Sequence, residues 1–161
     1  MQYVHQDWNS IILNSQQNQN YYFMPENIKR LDHILKINQR IAVSVGQPYI
    51  CYLSQIFNDL IGIYKVYSSN ISYFLESNNN VQIVKSLKLL RRDILKLIQI
   101  YLEKEVDFSY FNTNFLPPLQ EMVNDYTSSD PNSRDPETLS LFATVLKKEG
   151  NYIQGFLPAI L

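Results

Sequence analysis

The chain has 161 residues and carries 14 Lys and Arg against 15 Asp and Glu. Its length suits one domain with a sizeable core, and its balanced charge indicates no general affinity for nucleic acid or an anionic membrane. A single cysteine excludes an internal disulfide, four glycines argue against a turn-rich β fold, and no apolar run approaches the ~18 residues of a membrane span.

Helical periodicity, with proline and glycine at the boundaries, predicts an all-α chain of about seven antiparallel helices. A leading helix covers about residues 4–18, with Trp8 as a core anchor. Pro25 suits the first position of the second helix, Gly46 supplies its stop, and Pro48 starts the third helix at once. So short a link predicts that the second and third helices are antiparallel neighbours.

Residues 49–77 form the longest predicted helix, roughly 43 Å long at ~1.5 Å per residue. Its main apolar face repeats every three or four residues and consists of Leu53, Phe57, Leu60, Tyr64, Tyr67, Ile71 and Phe74. A second apolar set lies off that face and consists of Ile50, Ile56, Ile61, Ile63 and Leu75. A helix that is apolar on more than one side needs neighbours on two sides, so we expect an inner element of a stacked array.

Four further helices are predicted. The fourth covers about residues 81–105, with apolar positions at Ile83, Leu87, Leu90, Ile94, Leu97 and Tyr101. The fifth carries Phe115, Leu119, Met122 and Tyr126, and a polar loop follows it. Asp135 is a good N-cap for the sixth helix, which ends near Lys148, and a seventh begins near Phe156.

Internal repetition is the strongest signal in the sequence. Pro-Glu helix starts occur at Pro25 and Pro136, and similar Phe-Leu-Pro runs begin at Phe115 and Phe156. A unit of helix, tight turn and antiparallel helix is typical of a HEAT-type α-solenoid, whose period is roughly 40–47 residues. We therefore predict one HEAT-repeat segment over residues 1–161, with the leading helix at about 4–18 and helix hairpins at about 25–77, 81–127 and 135–161.

The ends of the chain lead to a further expectation. Neither end carries the polar capping unit that closes a solenoid, so the chain is expected to be an internal piece of a longer one. Its end faces, around Trp8 and Phe156, are then predicted to be exposed and to promote self-association.

An ordered set of short runs resembles the exportin-1 family of nuclear export receptors, within the importin-β (karyopherin) superfamily. The resemblance covers essentially the whole chain and rests on ILKINQRIA (34–42) with VGQP (45–48), LIGIYK (60–65) with SNIS (69–72), DILKLI (93–98), NFLPPL (114–119), DY (125–126) and RDPE (134–137). It places the chain in the C-terminal half of such a receptor.

The resemblance implies a role in transport. Exportin-1 receptors are ring-shaped HEAT solenoids that bind Ran-GTP and cargo with leucine-rich export signals and carry them through the nuclear pore, shuttling between nucleus and cytoplasm. The family's export-signal groove lies upstream, so this segment is expected to be mainly scaffold, with part of a Ran or cargo surface. A HEAT scaffold of another kind, such as another karyopherin or a phosphatase regulatory subunit, is the alternative that helix pairs alone leave open.

The candidate residues for metal or nucleophilic chemistry are His5, His33 and Cys51. Neither the spacing needed for metal ligands nor a base beside the thiol is present, so the histidines are expected to be exposed or capping and Cys51 to be a small buried hydrophobe. We predict no enzyme activity, no catalytic or metal-binding residue and no cofactor.

The fourth helix carries the one charged feature that suggests binding. Lys85, Lys88, Arg92 and Lys96 are spaced by three or four residues, so they share the face opposite the apolar seam. This face is either simply solvated or a docking surface for an acidic partner or an acidic stretch of the same solenoid. Aromatic residues do not interleave with these charges, which argues against nucleic acid. Arg134 is expected to pair with Asp130 or to cap a neighbouring helix.

Overall fold

A computed structural model describes residues 2–77, 81–104, 109 and 113–149, and all statements below refer to these residues. They contain no β-strand and form the helices α1 (Gln2–Gln17), α2 (Pro25–Val45), α3 (Gln47–Glu76), α4 (Val81–Lys104), α5 (Leu116–Ser128) and α6 (Pro136–Glu149), with short 3₁₀ turns at Tyr21–Phe23 and Pro131–Ser133. The all-α prediction is confirmed. The described part holds six of the roughly seven expected helices, and the predicted helix near Phe156 lies outside it.

Alternate helices lie side by side, so the chain builds two layers. In one layer α4 lies between α2 and α6 and packs against both. In the other layer α3 lies between α1 and α5, as shown by the hydrogen bonds Trp8 to Asp59 and Tyr64 to Asp125. In both pairs the contacts advance in the same direction, from His5–Tyr52 to Trp8–Asp59 and from Phe57–Phe115 to Tyr64–Asp125, so the helices run parallel. This is the arrangement of stacked helix hairpins in a HEAT-like solenoid.

The predicted antiparallel pairing of α2 with α3 is confirmed by contacts at both ends of the pair. Near the turn, the Tyr49 hydroxyl donates to the side-chain oxygen of Asn38. At the far end, the Tyr67 hydroxyl donates to the Tyr22 carbonyl at 3.4 Å. Gly46 makes the sharp link possible because its φ of +74° lies in the left-handed region that side chains disfavour.

Helix α3 is continuous over 30 residues, as the spacing predicted. Six of the seven residues of its main apolar face are buried, and the seventh, Phe74, packs partly buried against the core. Four of the five residues of its second apolar set are buried as well, with Leu75 partly buried. Each such aliphatic or aromatic side chain contributes about 1.5–3 kcal/mol when it is fully buried, so the two-sided burial of α3 accounts for much of the core.

Helix ends follow the local rules that the sequence suggested. Pro25 occupies the first turn of α2 with Glu26 beside it, where a carboxylate complements the helix dipole. An oxygen of Asp135 accepts a hydrogen bond from the Glu137 amide at 3.0 Å, so Asp135 is the N-cap of α6. Arg134 donates to the carbonyls of Ser129 and Thr127 at the end of α5, which confirms its role in capping a neighbouring helix.

Two sequence-based predictions are wrong. Cys51 is exposed, because it lies on the polar stripe of α3 and not on either apolar face. Trp8 is fully buried, and its indole nitrogen donates to Asp59 at 3.1 Å, so it is the core anchor that was predicted and not an exposed residue of an end face. The other residue of the predicted end faces, Phe156, lies outside the described residues.

The turn at Gly46 gives a test of backbone strain. An added Cβ at Gly46 would meet no atom within 4 Å, so Gly46→Ala should destabilise the chain only through its positive φ, by about 1–3 kcal/mol. Gly62, inside α3, has equally open surroundings but helical backbone, and Gly62→Ala should stabilise the chain by about 0.5–1 kcal/mol. Urea unfolding of both variants measures the difference, and equal effects would contradict this account of the turn.

Candidate partner-binding face on helix α4

Helix α4 is buried on three sides, because it packs against α2, α3 and α6. Its buried residues therefore extend well beyond one stripe and include Val84, Leu87, Leu90, Arg91, Ile94, Leu95, Leu97, Ile98, Tyr101 and Leu102. The side that remains outward carries Lys85, Leu89 and Lys96, all exposed. Any partner that approaches α4 meets this stripe first.

The four predicted basic residues divide into two pairs. Lys88 donates from its ammonium group to the Asn132 carbonyl at 2.8 Å. The Arg92 guanidinium donates to both carboxylate oxygens of Asp135, at 3.4 and 3.3 Å. Both side chains are thus engaged with the segment between α5 and α6, Lys88 through a backbone carbonyl and Arg92 through a carboxylate. Lys85 and Lys96 extend from the same helix without such a contact among the described residues.

Arg91 is a buried residue that the sequence reasoning missed. Only 4% of its surface is exposed, and its guanidinium donates to the Ser68 hydroxyl at 3.2 Å and to the Ser133 carbonyl. It therefore joins α3, α4 and the segment before α6. The sequence contains a pattern that indicates this burial. Leu87, Arg91 and Ile94 follow the three-and-four spacing of the apolar seam, so Arg91 is a charged residue in a buried row.

Residues 129–135 link α5 to α6, and we call them the 129–135 segment. Hydrogen bonds within the segment and from α4 fix its conformation. Within it, Asp130 accepts from the Asn132 amide at 2.7 Å. From outside it, Lys88, Arg91 and Arg92 of α4 bind Asn132, Ser133 and Asp135 in turn. Asp135 is almost fully buried, so the Arg92 charge compensates a carboxylate that water does not reach. The basic residues of α4 thus hold α6 at a defined position.

The other edge of α4 meets α2 at Asp93. The Gln39 side chain donates to the Asp93 carbonyl at 3.1 Å, which fixes the register of the two helices. Burial and the nearby Asp32 charge raise the pKa of the Asp93 carboxyl, while the Gln39 side chain, Lys36 and Lys96 act to lower it. Lys36 and Lys96 therefore stand on either side of a half-buried carboxylate where the two helices meet.

A polar cavity of about 590 Å³ lies beside the 129–135 segment. Its described lining consists of Ser72, Leu75, Glu76, Ser128, Ser129, Asp130 and Asn132, and includes neither histidine nor cysteine. Across the described residues, no group of three or more His, Cys, Asp or Glu is placed to hold a metal ion. In the same part of the chain, no helix is long and apolar enough to cross a membrane.

Comparison with known proteins decides the family. A sequence model described as the CRM1 C terminal matches residues 52–161. The chain belongs to the CRM1 C-terminal family. Among its relatives, Protein EXPORTIN 1B of Arabidopsis thaliana is 32% identical over 96% of this chain, and Exportin-1 of Drosophila melanogaster is 30% identical over 99% of it. Exportin-1 of Schizosaccharomyces pombe is 27% identical over 97% of the chain.

These relatives are far longer than this chain, which spans 15%, 16% and 15% of their respective lengths. The resemblance to exportin-1 receptors is thereby confirmed as membership of the CRM1 C-terminal family. A phosphatase regulatory subunit, one of the alternatives, has no support from this match.

The buried guanidinium gives a prediction for this CRM1 C-terminal segment. Arg91→Ala leaves the Ser133 carbonyl and the Ser68 hydroxyl without their buried partner, so it should destabilise the chain by about 2–4 kcal/mol. The matched control is Lys96→Ala on the exposed stripe of the same helix, expected to change stability by no more than about 0.5 kcal/mol. Thermal and urea unfolding measure both, and a neutral Arg91→Ala would show that the buried network carries no net stability.

Asp93 gives a prediction with a defined pH dependence. Because the pKa of Asp93 is raised in the folded chain, folding favours its protonated form. The resulting contribution to the free energy of unfolding is lost as the pH rises through the folded pKa. Asp93→Asn should therefore stabilise the chain at neutral pH, by less than about 1 kcal/mol given solvent screening, and should be neutral below the ordinary aspartate range. Asp32→Asn, which removes the exposed Lys36 pair, should slightly destabilise at neutral pH instead. Urea unfolding at both pH values measures each variant, and a loss of stability in Asp93→Asn at neutral pH would contradict the sign.

Proposed function

We propose that this chain is a scaffold segment of a nuclear export receptor, which carries cargo bearing leucine-rich export signals through the nuclear pore together with Ran-GTP. The observation that carries the proposal is the match to the CRM1 C-terminal family, with relatives named exportin-1 over nearly the whole chain. The receptor would shuttle between nucleus and cytoplasm, contact pore proteins, and act by binding without catalysis.

The stacked helices support a scaffold role for this segment. In a solenoid, each helix hairpin contacts its neighbours only, so small changes between hairpins add up to a change in curvature. Such changes let a ring open and close around its partners. We propose that residues 1–161 form one such run of HEAT repeats, with hairpins at about 25–77, 81–127 and 135–161, and that exposed apolar side chains on α1 (Tyr3 and Leu13) promote self-association of the isolated chain.

The basic residues of α4 give this scaffold a surface for partners. We place the partner contact on Lys85 and Lys96, which are exposed, with Lys88 and Arg92 on the same face but already bound to the 129–135 segment. The geometry supports this proposal, because the two lysines are exposed cations on one stripe of a helix that is otherwise buried. Whether Ran or cargo is the partner is decided by binding to the full-length protein.

A pull-down tests the export role. Full-length protein should retain an immobilised leucine-rich export-signal peptide when Ran carries GTP, and should release it when Ran carries GDP. The isolated 161-residue chain should retain neither Ran nor peptide tightly, because the export-signal groove of the family lies upstream of this segment. A peptide in which the leucines are replaced by alanine is the control. Binding that is independent of the Ran nucleotide would contradict the export role.

A further inference from the structure

The two layers of the solenoid carry opposite charge. Helix α2 has four Lys and Arg against two Asp and Glu, α4 has six against two, and α6 has two against two. In the other layer, α1, α3 and α5 together have one lysine against five carboxylates. The balanced total of the chain therefore hides a basic layer and an acidic layer, which lie on opposite sides of the shared core.

The outward side chains of α2 and α4 concentrate the basic charge in two stripes. On α2 the stripe is Lys29, His33, Lys36, Arg40 and Val43, and on α4 it is Lys85, Leu89, Arg92 and Lys96, each spaced by three or four residues. Neighbouring packed helices lie about 8–10 Å apart, so the stripes form one surface, which we call the α2–α4 face. The hydrogen bond from Gln39 to the Asp93 carbonyl joins the two helices within this face.

Part of this charge is already compensated within the chain. Lys36 pairs with Asp32 at 2.8 Å, and Arg92 pairs with Asp135 at 3.3 Å. Within the described residues, Lys29, Arg40, Lys85 and Lys96 have no carboxylate within ion-pair distance, and all four are exposed. These four cations remain available to a partner.

We propose that the α2–α4 face binds an acidic segment of a partner protein that carries apolar side chains between its carboxylates. The cations at Lys29, Arg40, Lys85 and Lys96 attract the carboxylates, and the exposed Leu89 and Val43, 59% and 66% accessible, offer apolar contacts between them. Exposed apolar residues inside a charged surface are typical of protein contacts.

The composition of the face favours protein over nucleic acid. Neither stripe contains a Phe, Tyr or Trp on which a base could stack. Asp32 and Asp93 also lie at this face, and their carboxylates would repel a continuous phosphate backbone, whereas the spaced carboxylates of a peptide can avoid them.

This inference rests on the partner surface proposed for α4 and extends it to α2, and its test is separate from the export assay. The probe is a fluorescein-labelled peptide of repeating Glu-Leu-Glu-Glu, with the matching Gln-Leu-Gln-Gln peptide as the uncharged control. Fluorescence anisotropy with the full-length protein should show binding of the acidic probe only. Its affinity should fall steadily as salt is raised, because the contact is between exposed charges.

Variants assign the binding to this face. Combined Lys29→Gln, Arg40→Gln, Lys85→Gln and Lys96→Gln should weaken the acidic probe about tenfold, from the loss of four exposed charge contacts. The charge-preserving set Lys29→Arg, Arg40→Lys, Lys85→Arg and Lys96→Arg should retain binding. Lys65→Gln, on the opposite layer, is the position control and should also retain it. Circular dichroism checks that each variant is folded, which is expected because every changed residue is exposed.

Each other outcome overturns the inference. Unchanged affinity of the neutralised variant at low salt would place the acidic probe elsewhere on the protein. Tighter binding of an oligo(dT) strand, in competition with the peptide, would identify the face as a nucleic-acid surface. The export role fails separately: its pull-down can be negative while the acidic probe still binds and loses affinity in the neutralised variant.

Discussion

Helix α4 has to bury three sides at once, and the rest of the architecture follows from this constraint. Because α2, α3 and α6 all pack against it, only one stripe of α4 is left for water. Polar side chains of this helix must therefore either lie on that stripe or find a partner inside the protein. Lys85 and Lys96 lie on the outward stripe, while Arg91 is buried and donates to Ser68 and Ser133.

The two sides of α4 are consequently held by different kinds of contact. Towards α6, the cations of Lys88, Arg91 and Arg92 bind the 129–135 segment through hydrogen bonds. Towards α2, the described polar contact is the hydrogen bond from Gln39 to the Asp93 carbonyl. Hydrogen bonds from charged donors are directional and about twice as strong as neutral ones. A shift of α6 against α4 therefore breaks more and stronger hydrogen bonds than a shift of α2 against α4. We expect bending of this segment to be distributed unevenly, with more of it at the α2–α4 boundary.

Most of the fold could be read from the sequence because helix periodicity and helix ends are local properties. Pro25, Gly46 and Asp135 act on their own backbone neighbours, and the structure places each at the predicted helix end. The face occupied by a single residue was harder to predict. Cys51 looked apolar by type, but it continues the polar row of Gln55, Asn58 and Lys65, and that row decides its exposure.

The candidate site was less accessible to the sequence for a different reason. Spacing places Lys85, Lys88, Arg92 and Lys96 on one helix face, and it cannot show which neighbouring helix lies against the edge of that face. The contacts of Lys88 and Arg92 depend on where the 129–135 segment returns to α4, which is a matter of tertiary packing. Arg91 was missed, although its place in an apolar row could have indicated that it is buried with a partner.

The two layers of opposite charge differ in how many of their charged side chains have partners within the chain. Three of the five carboxylates in the acidic layer have partners within it: Asp59 accepts from Trp8, Asp125 accepts from Tyr64, and Glu121 pairs with Lys65. Those contacts connect α1, α3 and α5 to one another and so stabilise the stack. On α2 and α4, several cations have no such internal use, although the same helices contain carboxylates that could have compensated them. The outward cations form the α2–α4 face, and at two helices this face is wide enough to accept the extended acidic segment that we propose for it.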